Sequence, residues 1–182
     1  MSLSSSHARD DFADPGLRSG STKYRPLIVA GVALGAILFQ VYIPRLLQVL
    51  SYLELPLLVT IYFPLMRRSP LSGVAVGAGI GLLQDALSNN PLGMYGISKT
   101  LLGYMAGSVS QRFDDRNPSV RLILSFVFFL LHQLLYGAMQ VALRGQPFGL
   151  SPVRTLVEAI LNALVALPFF STLDRLKLGS AG

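Results

Sequence analysis

Polar side chains interrupt otherwise apolar stretches of this sequence, among them Glu54, Asp85, Lys99, His132, Gln133, Gln140, Glu158 and Asn162. Carboxylates of this kind can act as general acid and base. Here Glu54, Asp85 and Glu158 fall on three separate stretches, with no spacing that pairs them. The two histidines, His7 and His132, form no His-x-x-x-His metal motif. Cysteine is absent, which removes thiolate nucleophiles, thiolate metal ligands and disulfides. No Gly-x-Ser-x-Gly elbow or phosphate-binding loop occurs. Catalytic, cofactor-binding and metal residues are therefore not expected, and the chain reads as a non-enzyme.

Position suggests other work for these groups. A carboxylate within a membrane span costs up to about 2.5–3.5 kcal/mol, so Asp85 should face protein or water. Lys99 follows fourteen residues later, about two turns into the next apolar stretch. In an antiparallel hairpin its ammonium can reach Asp85, and the spacing predicts a structural ion pair. Partner binding and proton or solute handling are the competing roles, and the lysine stem can also snorkel outward. His132, Tyr136 and Gln140 share one helical face, as do Arg154, Glu158 and Asn162. Arg154 and Glu158 are expected to pair locally, and the others to hydrogen-bond between helices.

The elements that carry these residues follow from composition. Of 182 residues, 52% are hydrophobic and 13% charged, against about 25% charged in an ordinary soluble domain. That balance excludes a conventional soluble domain and a disordered chain, and predicts an all-α integral membrane protein. A span needs about 20 apolar residues. Stretches 27–43, 71–87, 94–110, 120–143 and 153–173 qualify. The sixth candidate, 46–66, is interrupted by Glu54 and Pro56. It is either one kinked span, or an interfacial segment followed by a shorter crossing. Residues 1–24 are rich in Ser, Asp and Arg and read as a disordered cytoplasmic tail. No persuasive cleavage site follows the first apolar run, which is expected to remain as an anchor. Residues 25–178 form the six-helix transmembrane domain, and 179–182 a short C-terminal tail. With both termini cytoplasmic, eleven of the fifteen lysines and arginines fall inside and only Arg45, Arg144 and Arg154 outside. The net charge of +6 thus sets orientation and needs no nucleic-acid partner.

Glycines mark the third and fourth spans. Gly73, Gly77 and Gly81 recur every fourth residue, with Asp85 at the next step. Gly96, Lys99, Gly103 and Gly107 follow on one face of the fourth span. Small residues so spaced let a neighbouring backbone approach closely, within the chain or from a partner, including a second copy. Asn89 to Gly93, with Pro91, makes the turn between them.

Gly-Ile-Gly-Leu-Leu-Gln-Asp-Ala-Leu-Ser (79–88), followed by Pro-Leu-Gly-Met-Tyr-Gly-Ile-Ser-Lys (91–99), resembles the core signature of the MreD family of rod shape-determining membrane proteins. The length, the six short spans and an early Leu55-Pro56-Leu57-Leu58 support the resemblance. It implies a non-enzymatic subunit of the bacterial cell-elongation complex in the inner membrane. Such a subunit docks MreC and, through it, connects MreB, RodA and the elongation-specific transpeptidase that build lateral peptidoglycan. Gly81, Asp85, Pro91, Gly93 and Gly96 match family positions, Lys99 less firmly, and the resemblance implies that they hold the hairpin in shape. The family is also similar to the six-helix substrate-binding components of vitamin transporters. The second reading is therefore a solute-binding transport component, with His132, Gln133, Glu158 and Asn162 around an internal pocket. A lipid-modifying enzyme using Asp85 or His132 is a third.

Overall fold

Prolines and small polar caps divide the chain into its helices. The computed structural model describes residues 26–42, 48–88, 91–113, 117–147, 149 and 151–178. The polar tail, the C-terminal residues 179–182 and Asn89-Asn90 of the turn lie outside the described residues. The six α-helices are α1 (Pro26–Tyr42), α2 (Leu55–Arg67), α3 (Pro70–Leu87), α4 (Met94–Val109), α5 (Pro118–Arg144) and α6 (Pro152–Leu178). A short 3-10 turn, Gln48–Tyr52, precedes α2. No strand occurs among the described residues.

Helix starts follow local chemistry. Pro70 and Pro118 sit in the first turns of α3 and α5, where a missing N–H costs nothing. Ser69 Oγ accepts from Ser72 N at 3.3 Å and Asn117 Oδ1 from Ser119 N at 3.0 Å, capping the same two helices. Gly145, at φ 62°, ends α5 in the left-handed region.

α3, α5 and residues 152–175 of α6 are each long and apolar enough to cross a membrane, while α1 is a shorter apolar helix. The outward faces of α5 and α6 carry Ile123, Val127, Leu134, Val157 and Leu164, each about half exposed. An apolar exterior of this extent suits lipid rather than water.

Within the described residues the sixth candidate stretch is divided at Leu53-Glu54. A 3-10 turn is followed by a helix of only 13 residues, about 20 Å long at 1.5 Å per residue. The hydrocarbon core is about 30 Å thick. Every residue of α2 from Pro56 to Met66 is buried, so α2 is the central helix of the bundle. Tyr62 packs its ring 5.3 Å from Phe63 and 5.2 Å from Phe170 of α6. α1 packs along α2 and α3, and an apolar groove of about 370 Å³ opens between α1 and α3, lined by Ala33, Ile37, Val76, Gly79 and Leu83.

Candidate functional site

The glycine rows form the tightest seam in the molecule. A Cβ added to Gly73 would overlap the Gly103 carbonyl, and one on Gly103 would overlap that of Gly73. A Cβ on Gly77 would strike the Lys99 carbonyl, and one on Gly81 the Tyr95 carbonyl. At the far end, a Cβ on Gly107 would lie 2.6 Å from Ser69 O and 2.7 Å from Pro70 Cα. The two backbones thus pack directly against each other along the hairpin. The glycines expected either to pack internally or to meet a partner are filled from within the chain. Gly79, two residues from this row, has nothing within 4 Å of an added Cβ.

Asp85 closes the top of the seam. Gly93 is the N-cap of α4 at φ 104°, a conformation suited to glycine, and it has no side chain to cap the helix. The carboxylate of Asp85 does so from the last turn of α3. Its Oδ2 accepts from Gly93 N and Gly96 N, each at 2.9 Å, and its Oδ1 accepts from Tyr95 N at 3.0 Å. Three N–H groups at a helix N-terminus both donate to an anion and add the favourable end of the helix dipole. Asp85 is buried, and an added Cβ on Gly96 would lie 2.9 Å from Leu82 Cδ2, so a side chain there would have to displace Leu82. The turn begins at Pro91, whose carbonyl accepts from Met94 N at 3.4 Å.

The expected Asp85–Lys99 ion pair is therefore corrected. Both Asp85 oxygens already serve the α4 amides, and Lys99 Nζ instead lies 3.5 Å from Glu54 Oε2, just before α2. Nor does Lys99 snorkel, since its side chain is fully buried and its ammonium lies 5.1 Å over the Tyr95 ring. The physical reason is competition: three fixed N–H donors lie closer to Asp85 than a flexible ammonium on the next turns.

Several other polar residues gather at this same end. Arg154 Nε donates to Glu158 Oε1 at 2.7 Å, as the four-residue spacing predicts. Gln133 Nε2 donates to Glu158 Oε2 at 3.1 Å, tying α5 to α6. Asn162 fastens the entry to α2: its Nδ2 donates to Tyr52 O at 2.8 Å, and its Oδ1 accepts from Glu54 N at 2.8 Å. Of the four residues proposed around a pocket, Gln133, Glu158 and Asn162 are thus engaged in helix-to-helix bonds. His132 packs with Tyr95 and Tyr136, each ring centroid 6.1 Å away. At the opposite end, Asp174 of α6 accepts from Tyr62 Oη at 2.8 Å and from Arg121 at 2.7 Å. Among the described residues no three His, Asp or Glu side chains gather where they could hold a metal ion.

A model of the family described as rod shape-determining protein MreD matches residues 21–176, most of the chain. The chain belongs to the MreD family. It matches no curated protein and no solved structure. Family and apolar helices together make it a membrane protein of rod-shape determination.

Sequence reasoning placed the MreD-family hairpin but missed two partnerships. Glu54 was legible only as a break in an apolar stretch, whereas it is the counter-charge of Lys99. The cap on α4 had a readable signal, because a helix starting at Gly93 must borrow its cap from elsewhere.

Proposed function

We propose that this chain is a non-enzymatic scaffold of the cell-elongation machinery. It crosses the inner membrane six times with both termini cytoplasmic, and it docks the transmembrane helix of MreC. Through MreC it acts on MreB, RodA and the transpeptidase of lateral peptidoglycan synthesis. The observation that carries this reading is the use of the buried polar groups. Asp85, Glu158 and Asn162 each join one segment to another, which suits a body of fixed shape. Orientation is supported by the grouping of charge: Arg67, Arg121 and Arg175 lie at the end opposite Asp85 and Glu54.

Depletion in a rod-shaped host tests the proposal. Cells should round up as the chain is lost, and MreC should leave its position along the lateral wall. Cells that stay rod-shaped, with MreC still in place, would contradict it.

A further inference from the structure

The groove of about 370 Å³ between α1 and α3 lies apart from the glycine seam, on the outward side of α3. Ala75, Gly79 and Leu83, four residues apart and all exposed, line it from α3, and Ala33 and Ile37 from α1. An added Cβ on Gly79 meets nothing within 4 Å, so this wall is open. The lining is apolar except at Arg67. Arg67 ends α2 and stands three positions before α3 begins at Pro70, which puts the charge at the Ala75 end of the groove. Arg68, the next residue, is exposed and holds φ 50°. Glycine is the usual residue in that conformation at a helix end, yet the chain keeps a second guanidinium there.

This distribution of chemistry selects the occupant. From Ala75 to Leu83 the wall runs about 12 Å at about 1.5 Å per residue. One leaflet of hydrocarbon is about 15 Å deep, whereas a spanning helix needs contact through about 30 Å. A free phosphate would use Arg67 and leave the apolar walls bare. A neutral hydrocarbon would fill the walls and leave the guanidinium unused. An amphiphile that is apolar along its length and anionic at one end uses both. Guanidinium binds phosphate with two parallel hydrogen bonds, and basic pockets between membrane helices hold anionic headgroups.

We propose that this groove holds one anionic phospholipid. An acyl chain lies along Ala33, Ile37, Val76 and Gly79, the phosphate meets Arg67, and Arg68 adds a second positive charge beside the headgroup. On the orientation proposed above it is a lipid of the cytoplasmic leaflet. The binding itself depends neither on that orientation nor on MreC.

Native mass spectrometry of the full chain, purified in detergent and titrated with phosphatidylglycerol or phosphatidylcholine, tests it. One phosphatidylglycerol per chain should be retained, with phosphatidylcholine at least about fivefold weaker. Arg67→Gln should weaken phosphatidylglycerol about fivefold, and Arg67→Lys less, because an ammonium keeps the charge but not the paired bonds. Gly79→Leu fills the groove and should displace the lipid with Tm in lipid-free detergent unchanged. Ala75→Leu, on the same exposed wall, takes its place should that variant fail to fold. Equal retention of both lipids would overturn the proposal, as would equal retention of phosphatidylglycerol by the unaltered chain, Arg67→Gln and the groove-filling variant. Loss of MreC from the groove-filling variant, with lipid retention unchanged, would also overturn it and make the groove a helix site.

Discussion

Asp85 is the residue on which the hairpin turns. Its three N–H contacts lie at the start of α4, where no local side chain can replace them. Asp85→Ala should destabilise the detergent-purified protein by about 3 kcal/mol, since it strands buried donors of a charge-assisted set. Asp85→Asn keeps one acceptor oxygen and should lose less. Thermal unfolding of both variants checks the order. Lys99 answers to a different partner. Lys99→Met alone leaves Glu54 with an unpaired, largely buried charge, at a cost of about 3–5 kcal/mol, and adding Glu54→Leu should recover most of it. The charge swap Asp85→Lys with Lys99→Asp should recover nothing, because α4 then loses its cap. Recovery by that swap would restore the direct pair that the spacing suggests. That Asp85 must face protein or water was legible from the chain alone, and it is buried among protein groups. The partnerships were not, because Lys99 and Glu54 are 45 positions apart and meet only once α2 lies beside α4.

Among the elements, the α3–α4 seam was the most legible, because glycine spacing reports directly on how closely two helices approach. Gly77→Ala would force a Cβ into the Lys99 backbone and should cost at least about 1–3 kcal/mol. Gly79→Ala, on the same helix but open, should be neutral or stabilising by up to about 1 kcal/mol through helix propensity. Unfolding midpoints of the pair separate seam packing from glycine content in general, and equal losses would argue against the seam. α2 was the least legible element. Hydropathy marks it as a span, yet eleven of its 13 residues, Pro56 to Met66, are buried by neighbours rather than by lipid, and hydropathy does not distinguish those two apolar surroundings. The break before α2 becomes intelligible once Asn162 is seen to hold the Tyr52 carbonyl and the Glu54 amide.

For the whole molecule, the polar contacts named above between helices fall at two ends of the bundle among the described residues. The Asp85 end joins α2, α4, α5 and α6 through Glu54, Lys99, Gln133, Glu158 and Asn162. The other end joins α2, α5 and α6 through Tyr62, Arg121 and Asp174. On the proposed topology the arginine-rich end is cytoplasmic. Reporter fusions at the C-terminus should be active in the cytoplasm, and activity on the outer side would reverse the orientation.

The central proposal is that the chain docks MreC as a body of fixed shape, with the α3–α4 hairpin closed throughout. The chain has no cysteine of its own, so the hairpin can be locked without side reactions. A Cβ at Gly96 would lie 3.4 Å from Leu82 Cγ, the atom that a cysteine sulfur would replace, which brings the two positions within reach of a disulfide. The most direct measurement is co-purification of MreC with the Leu82→Cys/Gly96→Cys chain, oxidised and reduced. Equal recovery of MreC in both states is the predicted result. Loss of MreC on oxidation, with return on reduction, would show that the hairpin must open and would contradict the account.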